Sequence, residues 1–305
     1  MSINPLFLDF YPMMNRFPDF IIVGAGKCGT TSLHNYLAQH PQIYMCQKKE
    51  TFFFINEKTR EKHKPWGAVT TVEDYCSLFQ DAPKGSVTGE ISTNYYAYPE
   101  SAQLIYQHIP TVKIIAILRD PAERAFSAYQ MHVRQGIEKR SFEQVISEDN
   151  KYVKRGFYFS EIIPYFKTFN RQSIKILLYD DLCQNSIAFM QDLFKFIEVD
   201  DNFIPDMSKK GRKGGLPKNQ SLNQLLTKPN LLRSSVAAVL KLAMPLQVRQ
   251  KIRAVLIKKN TYKAKLSPEA RRKLIEIYKD DILKLQDLLE RDLSNWLSMP
   301  NQVKE

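Results

Sequence analysis

Phe20-Ile21-Ile22-Val23-Gly24-Ala25-Gly26-Lys27-Cys28-Gly29-Thr30-Thr31-Ser32 is the stretch from which the fold is read. Phe20 to Val23 is a short apolar, β-branched run between Asp19 and Gly24, the pattern of a buried strand. Thr30 to Gln39 reads as a helix, with Leu33, Tyr36 and Leu37 on one face and His40-Pro41 ending it. Between them lies a glycine-rich loop. Such a strand–loop–helix holds anions, because unpaired backbone N–H groups and the positive end of the helix dipole face one point. Gly24, Gly26 and Gly29 let the backbone turn and approach a ligand. Lys27 adds a full charge, and Thr30 and Thr31 add hydroxyls at the first helical turn.

Outward from this loop the same alternation continues. Strands are expected at Ile43 to Met45, Val87 to Glu90, Val112 to Leu118 and Ser173 to Tyr179. Helices are expected over Thr71–Phe79, Pro99–His108, Ala122–Arg134, Tyr158–Phe169 and Ser186–Ile197. Val112 to Leu118 is apolar on both faces, as in a central parallel strand. The expected class is α/β: a P-loop-like central parallel β-sheet with helices on both faces and a helical C-terminal extension. One domain of 305 residues is expected, with the core over 18–205, a basic glycine-rich loop over 206–216 and the extension over 217–300. In the extension, helices are expected near Leu231–Leu242, Pro245–Leu256 and Ser267–Leu289, the last with Ser267 as N-cap and Pro268 in the first turn.

Lys and Arg number 44 against 32 Asp and Glu, a formal charge of +12 that suits polyanionic partners. The four cysteines, Cys28, Cys46, Cys76 and Cys183, form no CxxC pair, and they are read as free thiols of a reducing compartment. No apolar run is long enough to span a bilayer, and Met1 to Phe17 lacks the form of a signal peptide. The expectation is a soluble, cytoplasmic protein.

The order of residues in the loop separates two nucleotide classes. A Walker A loop places Lys directly before Ser or Thr. Here Lys27 precedes Cys28-Gly29-Thr30-Thr31. This resembles the 5′-phosphosulfate loop of sulfotransferases that use the sulfate donor PAPS, Gly-x-x-Lys-x-Gly-Thr-Thr-x-Leu, matched by Gly24, Lys27, Gly29, Thr30, Thr31 and Leu33. The resemblance implies donor contacts from Gly26, Lys27, Cys28, Gly29, Thr30, Thr31 and Ser32. A second element, Arg119-Asp120-Pro121 through Ser127, resembles the family's 3′-phosphate site, in which an Arg at a strand end and a Ser eight residues later bind. A guanidinium fork on phosphate fits that role. Gly156-x-Tyr158 resembles a pattern whose Tyr lies near the adenine, and Arg212, Lys213 and Gly214 resemble a late element that closes over the 3′-phosphate.

Sulfuryl transfer needs a base for the acceptor, positive charge for the departing phosphate, and in-line geometry. Lys27 and the loop amides meet the second need, so no metal is required. Lys48-Lys49-Glu50-Thr51-Phe52-Phe53-Phe54 resembles the heparan-sulfate and bacterial segment whose Glu is the base, which implies Glu50. Adjacent aromatic rings would desolvate its carboxylate. Gly89-Glu90-Ile91-Ser92 resembles the family's Gly-Glu-Lys-Ser/Thr element, with Ile91 in place of Lys. Glu90 is therefore a competing acidic group facing the acceptor, and Lys49 or Lys213 is a candidate for the missing lysine. His34 and His40 read as packed or exposed, and Arg124 as a surface charge.

The resemblance implies PAPS as donor, PAP as product and a carbohydrate acceptor, with a lipid or small-metabolite hydroxyl as alternatives and no nucleic-acid partner. A P-loop kinase would need the Walker order and a free strand-end Asp for magnesium. A non-catalytic glycan-binding protein on the same fold would lack turnover.

Overall fold

The computed structural model describes residues 16–208, 215–227 and 245–299. The helix expected at Leu231–Leu242 and the loop residues Arg212, Lys213 and Gly214 lie outside them. The chain folds into two compact units.

The first unit takes in the described residues of Met1–Arg119, Tyr158–Gly211 and Lys284–Arg291. It holds five parallel strands, β1 (Phe20–Gly24), β2 (Ile43–Met45), β3 (Val87–Ile91), β4 (Lys113–Leu118) and β5 (Ile174–Leu178), in the order β2-β3-β1-β4-β5. Parallel strands need crossovers, and the helices between them supply these. β1 and β4 are buried on both faces, which explains their unbroken apolar sequences. The chain leaves β1 toward β2 on one side and leaves β4 toward β5 on the other. The crevice between β1 and β4 is therefore the switch point at which such sheets bind ligands. Pairing of β1 with β4 slips between Ile22 and Gly24, where the strand turns into the loop. His34 and His40 are structural: their Nε2 atoms lie 3.1 Å from the Cys46 carbonyl and 2.9 Å from that of Asp200.

The second unit takes in the described residues of Asp120–Phe157, Arg212–Leu283 and Asp292–Glu305. The Pro121–Arg134 helix thus groups with the C-terminal helices. Asp120 caps it, accepting from the N–H groups of Ala122 and Glu123, and also pairs with Arg271 at 2.8 Å. Arg124 is buried and donates to the Tyr152 carbonyl, so it is not the surface charge its position suggests. The Pro268–Leu289 helix starts after Ser267, whose Oγ accepts from Ala270 N–H. Leu216–Pro217 forms a two-residue antiparallel pair with Thr261–Tyr262.

Candidate active site

In the first unit, the C-terminal ends of all five parallel strands contribute to one locality. β1 leads into the loop. Lys27 (φ +78°) and Gly29 (φ +91°) take left-handed backbone there, and Gly29 opens the Thr30–Leu37 helix. That helix has no side-chain cap and no acid in its first turn. Its first N–H groups therefore keep their positive field for an incoming anion. Gly29 has two reasons to be glycine: its φ, and the Tyr179 ring, which would lie 2.9 Å from a Cβ. By contrast, a Cβ on Gly26 would meet just one described side-chain atom within 4 Å, Thr93 Oγ1 at 3.6 Å. The backbone at Gly26 is open to a ligand and lies beside Thr93.

Thr93 belongs to the turn after β3, and it connects the loop to the predicted base. Its Oγ1 donates to Glu50 Oε1 at 2.7 Å, and Asn94 Nδ2 donates to Oε2 at 3.1 Å. Glu50 arrives on the segment after β2, with Lys49 beside it. Lys49 Nζ reaches Thr31 Oγ1 at 3.5 Å. Burial holds this ammonium below the ordinary lysine value, against the pull of the Glu50 carboxylate. Lys49, Glu50, Thr31 and Gly26 are thus brought together.

Two left-handed residues, Glu50 (φ +59°) and Phe52 (φ +56°), flank Thr51. Side chains disfavour this backbone, and it persists where surrounding bonds over-determine it. Those bonds come from Glu50 itself and from Thr51, which is fully buried. Its N–H donates to Ser92 Oγ at 3.0 Å, its Oγ1 donates to Glu90 Oε1 at 2.5 Å, and Glu50 N–H donates to the Ile91 carbonyl at 3.1 Å.

Glu90 has no exposed surface. Ser92 and Tyr95 also donate to its Oε1, at 2.6 and 3.1 Å, and Tyr75 donates to Oε2. Burial raises its pKa above the ordinary glutamate value, while the four hydroxyl bonds pull the other way. The carboxyl faces this cage, not an acceptor, and holds the Glu50 turn from beneath. The aromatic run also packs away from the position the sequence suggests. Phe53 stacks on Tyr75, Phe54 lies edge-on to Tyr75 and Tyr95, and Phe52 stacks on His63.

Arg119 directly follows β4, with its guanidinium 5.1 Å from the Tyr179 ring centroid. Tyr179 follows β5 and borders Gly29 as well, a position that no motif signals. Tyr158 is fully buried; its hydroxyl donates to the Arg119 carbonyl at 2.9 Å and lies 3.7 Å from Cys28 Sγ. It ties the β4 end to the loop, and its ring has no surface to offer an adenine. The Cys28 side chain is likewise buried. Ser127 is half-buried in the second turn of the Pro121–Arg134 helix, in the second unit. The Asp120 carboxylate is engaged by its cap bonds and Arg271, which removes the strand-end Asp that a kinase reading requires.

The sequence model described as "Sulfotransferase family" matches residues 18–203. The chain is 34% identical over 117 residues to the membrane-associated sulfotransferase kil1 of Dictyostelium discoideum, covering 38% of this chain. It is 29% identical over 206 residues to the human bifunctional heparan sulfate N-deacetylase/N-sulfotransferase 3, covering 61% of this chain. These matches span 23% of each relative's length. A crystal structure of a sulfotransferase from Alicyclobacillus acidocaldarius superposes with a TM-score of 0.69 at 26% identity, covering 93% of this chain and 100% of that one.

Proposed function

The chain belongs to the sulfotransferase family, and from that premise we propose that it transfers a sulfuryl group from PAPS to a hydroxyl or amine of a carbohydrate acceptor. The observation that carries this reading is the Thr93 bridge. One side chain borders the open backbone of the anion loop at Gly26 and also orients Glu50, which sets a base beside an anion site.

The loop fits a phosphosulfate group, because an uncapped helix start, the Lys27 charge and an approachable Gly26 backbone all favour a tetrahedral anion. When bound, PAPS supplies the sulfuryl group and leaves as PAP. Lys27 and the loop N–H groups stabilise negative charge on the leaving phosphate. Glu50 accepts the proton of the acceptor. A carboxylate has about four acceptor sites, and the bonds from Thr93 and Asn94 fix its orientation while leaving room for that proton. Lys49, held near Thr31, takes the place of the family lysine replaced by Ile91 and faces the transferring group. For the 3′-phosphate, the sequence pattern supports Arg119, Ser127, Arg212, Lys213 and Gly214. The heparan sulfate relatives support a glycan as acceptor.

Labelled PAPS offered with a panel of glycans, lipids and small hydroxyl metabolites tests the reading. Label transferred to a glycan is the expected result. Transfer to lipids or metabolites alone would correct the acceptor. If PAP binds Lys27→Ala as tightly as wild type, the loop assignment fails.

A further inference from the structure

From Met207 to Pro268 the chain has fifteen lysines and arginines and no aspartate or glutamate, whereas the remainder has 29 basic and 32 acidic residues. The positive charge of the protein comes from this one stretch. Within it lies the Leu246–Lys259 helix of the second unit, with Arg249, Lys251, Arg253, Lys258 and Lys259.

One side of this helix is fastened to its own unit. Arg253 Nε donates to the Leu226 carbonyl at 2.6 Å. Asn260, just past its end, exchanges bonds with Lys218 and Asn219. Val248, Ile252 and Val255 recur at spacings of four and three, so they form one stripe, with Leu256 beside it. These four side chains are 41–51% exposed. Lys251, Lys258 and Lys259 are exposed alongside them. Leu222 and Leu225 of the neighbouring Gln220–Thr227 helix are exposed as well.

The two features select a partner together. A soluble polyanion would satisfy the lysines but leave the aliphatic side chains in water. A second copy of this stripe would cover them but oppose like charges. An anionic bilayer surface satisfies both, with phosphate groups for the cations and the headgroup–acyl boundary for the aliphatics. We propose that the Leu246–Lys259 helix lies on an anionic membrane surface, inserting Val248, Ile252, Val255 and Leu256 and setting Lys251, Lys258 and Lys259 at the phosphates.

Co-sedimentation of the full chain tests this, using vesicles of phosphatidylcholine alone and of phosphatidylcholine mixed with phosphatidylglycerol. The chain is expected to sediment with the mixed vesicles and to be released by salt. The Val248→Ser, Ile252→Ser, Val255→Ser, Leu256→Ser variant should bind about tenfold more weakly or worse. Replacing Lys251, Lys258 and Lys259 with Gln should weaken binding roughly fivefold per lysine, about a hundredfold together. Wild-type protein that ignores mixed vesicles overturns the proposal, whatever the variants do. So does a serine variant that binds them like wild type; that result, with equal binding to dextran sulfate, would mark a polyanion surface instead. Matching circular dichroism melts for the variants and wild type separate lost binding from lost folding.

Discussion

Glu50 and Glu90 are set at the ends of two neighbouring strands, and their surroundings differ. Glu50 is half-buried, held by one hydroxyl and one amide, beside a loop whose backbone is open. Glu90 is sealed beneath it among four hydroxyls. The two are joined through Thr51, so the buried carboxyl fixes the turn that presents the open one. The difference teaches that acidity near a site does not assign a role. Exposure and the choice of donors do: Glu50 is open to an incoming acceptor, and Glu90 is sealed away from one.

The contrast can be broken at either residue. The largest effect is expected from Glu50→Gln, which keeps the side chain's size and can keep the Thr93 bond but removes the proposed base. Turnover should fall by about 10²–10⁴-fold while PAP affinity stays near wild type, measured by steady-state rates and calorimetry. Full turnover would refute the base assignment. Glu90→Ala should act on folding, because four buried hydroxyls lose their shared acceptor. A loss of about 3 kcal/mol or more in denaturant melts is expected, with PAP binding surviving in whatever fraction folds. Gly29→Ala puts a Cβ at positive φ against Tyr179 and should cost about 1–2 kcal/mol, with weaker PAP binding.

The smallest effect sharpens the comparison through pH. Burial raises the Glu90 pKa from 4.5, so the folded state holds its proton to higher pH than the unfolded chain does. Stability from this group is full below 4.5 and declines as pH rises through the folded value. Glu90→Gln cannot titrate, so its melting temperature should fall less than wild type over that rise. Parallel pH curves for the two proteins would show that Glu90 does not carry this dependence.

Much of this architecture was legible in the sequence, for local reasons. The Phe20–Gly24 strand, the loop and the Thr30–Leu37 helix follow from apolar run, glycines and periodicity. So does β4, whose apolar sequence matches its burial on both faces. What was illegible depends on strand order. Tyr179 meets Gly29, and Thr93 meets Glu50, because parallel pairing sets distant strand ends side by side. The Glu57–His63 helix was missed because it buries no residue and so has no apolar stripe to read. Glu90 looked like an acceptor-facing acid because its hydroxyl partners, Thr51, Ser92, Tyr95 and Tyr75, come together only in three dimensions.

The most direct test of sulfuryl transfer is PAP release from PAPS by the wild-type chain, followed with and without a glycan acceptor. Release that depends on the acceptor and matches the sulfate transferred to it is the predicted result. No release from PAPS with any acceptor, or turnover of ATP alone, would contradict it.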